Sequence, residues 1–117
     1  PYEIEKGASA FAELMSRAPR PTVVMCGNDV LAAGALREAR SRGIAVPDDV
    51  SITGFDDIEL AEIVSPALTT VHVPHREMGR KAAQELIAIV EGRSEGQSVC
   101  ISTTLVTRQS LARPSGR

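Results

Sequence analysis

Pro47-Asp48-Asp49-Val50-Ser51-Ile52-Thr53-Gly54-Phe55-Asp56-Asp57 is the stretch whose reading decides the fold. Pro and Asp residues at 47–49 supply turn chemistry. Val50-Ser51-Ile52-Thr53 then reads as a short strand. Gly54-Phe55-Asp56-Asp57 closes that strand and opens a short helix through about Val64, which Ser65-Pro66 stops. A strand followed at once by helix-start residues is half of a β-α-β unit, so the pattern should continue on both sides.

It does. Upstream, Ala8, Phe11, Ala12 and Met15 follow the i, i+3, i+4, i+7 spacing of a helix face. Thr22–Cys26 is an apolar, β-branched run bounded by Pro and Gly, which predicts a buried strand. Asn28 and Asp29 are N-cap residues. A helix then runs to about Arg42 with Ala32, Ala35, Leu36 and Ala39 on one face, and Gly43 stops it. Downstream, Leu68–Val73 is a third strand, and Pro74 suits the first position of a long helix. Met78, Ala82, Leu86 and Ile89 form its apolar stripe, widened by Ala83, Ile87 and Val90. Glu91-Gly92-Arg93 ends it, and Ser94–Ser98 is a polar loop. Val99-Cys100-Ile101 and Thr104–Thr107 read as two more strands, and Leu111–Arg117 as a frayed tail. The order α-β-α-β-α-β-α-β-β predicts an α/β fold. It is a three-layer open sheet, mostly parallel and Rossmann-like, with helices on both faces.

Composition fits this reading. With no Trp, one Tyr and two Phe, a core must be built from Ala, Val, Ile and Leu. Thirteen basic residues stand against fifteen acidic ones, for a net charge of −2, so nothing marks a phosphate-binding face. No run approaches the ~20 apolar residues of a membrane span. Pro1–Glu5 has neither the basic nor the apolar region of a signal peptide, and a start at Pro1 without Met reads as part of a longer protein. Cys26 and Cys100 lie in apolar runs and read as small buried hydrophobes of a reducing compartment, with a bridge between them left open.

In open parallel sheets, ligands bind beyond the carboxyl ends of the strands. Those ends here are Gly27-Asn28-Asp29, Gly54-Phe55-Asp56-Asp57 and His72-Val73-Pro74. Carboxylates accept from two hydroxyls at once, and Asn both donates and accepts, which suits a polyhydroxylated or otherwise polar small molecule. Asp29 and Asp57, directly at helix starts, read first as caps. Asn28 and Asp56 stand one residue nearer the strand end, and both cap and ligand contact are open for them. His72 reads as structural rather than as a metal ligand, and His75 as a solvated residue of the first helical turn. Arg37-Glu38-Arg40-Arg42 reads as a solvated helix face. There is no G-x-G-x-x-G after a strand, no phosphate loop, no G-x-S-x-G elbow and no C-x-x-C. No catalytic residue, metal site or cofactor is expected. The enzyme alternative would be a small metal-dependent α/β enzyme using Asp56 and Asp57, but Lys6 and Lys81 are the only lysines and neither is near a strand end.

Several segments now become specific. Pro21-Thr22 through Asn28-Asp29, with Ala32-Ala33-Gly34-Ala35, resembles the P-T-A-x-x-x-x-N-D-x-x-A-x-G-A segment of the lac repressor/GalR (LacI) family. Gly43 to Asp57 resembles the family's G-I-x-V-P-x-D-V-S-V-x-G-F-D-D. Ser65–Val71, Gly79 with Ala82 and Ala83, and Leu105–Ser110 match further landmarks in order, so the resemblance covers the chain from Gly7 onward. It implies the C-terminal part of the effector-binding region of a transcriptional regulator, with a truncated periplasmic-binding-protein-like type I fold. Residues 1–73 and 103–117 would form the C-terminal subdomain, and 74–102 would pack in the N-terminal one. Asn28 and Asp56 would contact a small-molecule effector such as a sugar or nucleoside. Val73 stands where many sugar-responsive members carry Gln, which argues against a simple lactose-like or galactose-like effector. Operator DNA would be bound only through a separate N-terminal domain. A homodimer would form through Leu31–Arg42 and Ile58–Val64, in the cytoplasm. The long helix, without its partner subdomain, would expose its apolar face and drive self-association. A periplasmic solute-binding protein of the same fold is the alternative.

Overall fold

The computed structural model describes residues 3–114. In chain order the elements are α1 (Ile4–Ser16), β1 (Val23–Met25), α2 (Asp29–Ser41), β2 (Ser51–Thr53), α3 (Leu60–Ile63), β3 (Thr70–His72), α4 (His75–Val90) and β4 (Thr104–Val106). They divide into two units. One comprises the residues up to His72 and those from Leu105 onward; the other is Val73–Thr104.

In the larger unit β1 and β2 pair in parallel, with Val24 opposite Ile52. Parallel bridges from Thr53 to Thr69 and from Asp56 to His72 extend the same direction to the third strand line. β3 in turn pairs with β4. Val24, Val50, Ile52 and Leu68 meet Phe11, Met15, Leu36 and the alanines 32, 35, 39 and 61 in one closed core. Small side chains on α2 let α1 come close. The approach is tightest at two glycines: a Cβ on Gly34 would lie 1.9 Å from the Ile4 carbonyl oxygen, and one on Gly7 would lie 2.1 Å from that of Leu31. The helices therefore touch backbone to backbone, which only glycine permits. Gly43, at φ 67, ends α2 as the sequence predicts.

The structure departs from the sequence reading in five places. β1, expected to be buried, is buried on one side only: Val23 and Met25 are 44% and 82% exposed. The helix expected from Gly54 is reduced to Leu60–Ile63, because Asp56 (φ 102) and Asp57 (φ 58) adopt left-handed backbone that a right-handed helix cannot contain. No strand forms at Val99–Ile101, where no ladder partner stands among the described residues. The tail expected to fray is docked at its start, since Ala112 donates to the Ser51 hydroxyl at 3.0 Å and accepts from it at 3.2 Å. The rest of that tail, residues 115–117, lies outside the described residues, as do residues 1–2. Finally, Cys100 is exposed rather than buried, Cys26 is only partly buried, and both thiols are free.

The smaller unit is α4 with the segment that follows it. No residue of α4 is buried. Its predicted stripe of Met78, Ala82, Leu86 and Ile89 lines an open groove of about 500 Å³ together with Val99 and Ile101. Glu85 fastens the loop beyond the helix by accepting from the Ser94 hydroxyl and from the Gln97 N–H.

Two outcomes follow from the larger unit. Gly34→Ala forces α1 and α2 apart and should lower stability by about 1–3 kcal/mol, read in urea unfolding; an unchanged midpoint would refute the close helix contact. Burial pushes the Cys26 thiol up to about 11. At pH 8 roughly one Cys26 in a thousand is then thiolate. Ellman's reagent should therefore label exposed Cys100 quickly and Cys26 in a slow phase that Cys26→Ser abolishes. Two equally fast thiols would contradict this burial.

Candidate functional site at the strand ends

The carboxyl ends of β1 and β2 lie side by side because the ladder continues past the strands. The Cys26 N–H donates to the Thr53 carbonyl at 2.8 Å, and the Asp29 N–H donates to that of Phe55 at 3.0 Å. The third line is held in the same way: Gly54 N–H donates to Thr69 and Asp56 N–H to Val71, each at 3.0 Å. Asn28 and Asp56 thus stand on neighbouring loops at one sheet edge.

Asn28 is the N-cap of α2, its Oδ1 accepting from the Leu31 N–H at 2.9 Å. Capping uses one lone pair of the amide oxygen, and the Nδ2 hydrogens take no part in it. Asp56 is half-buried, on backbone at φ 102.

Asp29 was expected to cap its own helix and does something else. It is wholly buried, with Oδ2 accepting from the Ile58 N–H at 2.9 Å and Oδ1 from the Thr70 hydroxyl at 2.6 Å. A Cβ on Gly54 would lie 2.2 Å from Asp29 Oδ1, so glycine there is what admits the carboxylate. Nor is Asp57 a simple cap. Its Oδ1 pairs with Nη2 of Arg108 at 2.8 Å, and its Oδ2 lies 2.9 Å from Nδ1 of His72. Burial alone would push the Asp57 carboxyl up. Hydrogen bonds and charge from Arg108 and His72 outweigh it, and the carboxyl sits below its ordinary value. Both Asp57 oxygens are thus engaged, and the described residues hold no group of three or more His, Cys, Asp or Glu arranged for a metal ion.

His72, read from the sequence as structural, pairs with Asp57 from an exposed position. His75 opens α4 and is exposed. Arg108 is the residue that the sequence reading did not single out. Besides Asp57 it reaches the Leu68 carbonyl at 3.0 Å and Glu62 at 3.2 Å. Its place in the Leu105–Ser110 landmark was the available signal. Ser110, from the same segment, is buried and donates to the Ile52 carbonyl at 2.6 Å while accepting from the Thr69 N–H at 2.8 Å.

Comparison with known proteins places this geometry. Residues 2–111 match the model of the periplasmic binding protein-like domain. The HTH-type transcriptional repressor PurR of Salmonella arizonae is 42% identical over 112 residues, which are 95% of this chain and 33% of that protein. The chain therefore spans about a third of the length of that relative. A LacI family transcriptional regulator from Bifidobacterium animalis superposes with a TM-score of 0.91 at 32% identity, over 97% of this chain and 42% of the other. A LacI family transcriptional regulator from an Arthrobacter species, solved as a complex with lactose, gives 0.83 at 31% identity, over 92% of this chain and 41% of the other. The chain belongs to the periplasmic binding protein-like domain family, in the form that LacI-type transcriptional regulators carry.

Proposed function

We propose that this chain is the ligand-sensing and dimerisation module of a LacI/GalR-type DNA-binding transcriptional regulator. The observation that carries this reading is the 42% identity along almost the whole chain to a transcriptional repressor. The effector is a small polar molecule, a sugar or a nucleoside, and Asn28 and Asp56 contact it from their adjoining loops. The lactose held by the Arthrobacter relative is a ligand of this kind. Effector binding favours one relative orientation of two subdomains and so shifts the population able to hold operator DNA. The chain's division at Val73 and Thr104 supports assigning residues 1–73 and 103–117 to one subdomain and 74–102 to the other. Operator contact belongs to a separate N-terminal domain, and the protein works in the cytoplasm, where that DNA is. The module itself performs no catalysis.

Homodimerisation runs through Leu31–Arg42 and Ile58–Val64. Ile58 and Ile63 are 38% and 69% exposed, apolar surface of the kind that a partner covers.

In the full-length protein, Asp56→Ala should weaken binding of the cognate sugar or nucleoside by about ten- to a hundredfold, the loss of ~1.5–3 kcal/mol for a charged hydrogen-bond partner. Calorimetry over a panel that includes lactose and adenosine reads this, while gel-shift affinity for operator should stay unchanged. Retained effector affinity would remove Asp56 from the site. The 117-residue polypeptide alone should self-associate in light scattering. Ile63→Asp dissolves the assembly if α2 and α3 form the contact, and Leu86→Asp does so if the apolar face of α4 forms it. A monodisperse monomer at high concentration would count against both.

A further inference from the structure

Asp57 stands where three segments meet. One carboxylate oxygen pairs with Arg108 at 2.8 Å and the other with His72 at 2.9 Å. Those partners mark the two places where the chain passes between its units. His72 is the last residue of the larger unit before the excursion Val73–Thr104, and Arg108 follows shortly after Leu105, where the chain returns. Within the larger unit, Asp57 therefore touches both the last residue before the excursion and the segment shortly after the return.

The residue before it is Asp56, and the two occupy consecutive left-handed positions at φ 102 and φ 58. Non-glycine residues persist in such backbone only where their surroundings over-determine it. Here the restraints can be named. Asp56 N–H is held by the Val71 carbonyl at 3.0 Å, and Ile58 N–H by Asp29 at 2.9 Å. Between them, the Asp57 side chain is fixed by Arg108 and His72. The Arg108–Asp57 pair is 14% and 15% exposed, so solvent screens it weakly. Arg108 is itself held by the Leu68 carbonyl and Glu62. A planar guanidinium gripped on several sides cannot reorient to absorb a partner's movement, so that movement passes to the segment that carries it.

We propose that Asp57 is a positioning residue that locks the Asp56 turn to β3 and to the segment just after β4, the two stretches of the larger unit that flank the excursion. A displacement of the turn is then transmitted to both of these stretches, since salt-bridge and hydrogen-bond networks of this kind carry energetic coupling. The functional sense of this lock rests on Asp56 being an effector contact; the mechanical link does not.

The test is amide hydrogen exchange on the full-length protein. Asp57→Asn keeps the shape and tolerates left-handed backbone while removing the charge. Arg108→Met removes the fork, and Arg108→Lys returns a point charge. In Asp57→Asn and Arg108→Met, exchange at the amides of Asp56, Ile58, Arg108 and Gln109 should accelerate about tenfold. The amides of Leu36 and Ala39 in α2 should keep their rates, and Arg108→Lys should restore part of the protection. Unchanged turn amides would overturn the proposal. So would acceleration confined to the turn without reaching Arg108 and Gln109, or a uniform rise that includes α2. Asp56→Ala titrations with lactose and adenosine are read separately. Loss of an Asp56 effect there would sink the ligand reading, whereas an uncoupled turn in exchange would sink only the lock.

Discussion

Asp29 places a wholly buried carboxylate among the end of β1, the turn after β2 and strand β3, with the Ile58 N–H on one oxygen and the Thr70 hydroxyl on the other. Each of these hydrogen bonds contributes about 0.5–1.5 kcal/mol, and leaving a buried oxygen without its partner would cost about 1–3 kcal/mol. The placement constrains its neighbours. Gly54 lacks a side chain where one would strike Asp29. α2 begins where Asn28 caps it, one residue before Asp29, so the cap and the clamp are consecutive residues with separate duties. The loops that carry Asn28 and Asp56 hold their spacing because this carboxylate ties their bases together.

Local chemistry was legible and long-range pairing was not. Apolar β-branched runs announced the three parallel strand lines, and Gly43 announced the end of α2, because those signals lie within a few residues of what they determine. Asn28 was readable as a cap for the same reason, its partner Leu31 being three residues on. Asp29 meets Thr70 across 41 residues and Ser110 meets Ile52 across 58, and nothing local reports such partners. Arg108 was hidden in the same way. The missing start of the short helix has another cause: Asp56 and Asp57 look like helix-opening residues, yet tertiary bonds hold both in left-handed backbone. Val99–Ile101 has strand composition without a strand, since a ladder requires a second chain segment.

The two units are stabilised by different means. The larger closes a core of Phe11, Leu36, Ile52 and Leu68 under two helices in backbone contact. In the smaller, Leu86 is 62% and Val90 79% exposed, so α4 owes its helicity mainly to its own ladder, a C-terminal turn at Gly92 and the loop fastened by Glu85.

The pairing of β3 with β4 also fixes an order of events in synthesis. Everything from Val73 to Leu105 must leave the ribosome before β3 can find the strand that lies beside it. At the usual ~5–20 residues per second, that leaves one edge of β3 unpaired for roughly 2–6 s. Strands waiting in this way template aggregation when they are long and apolar. β3 is three residues long and reads Thr-Val-His, a short and largely polar edge suited to the delay.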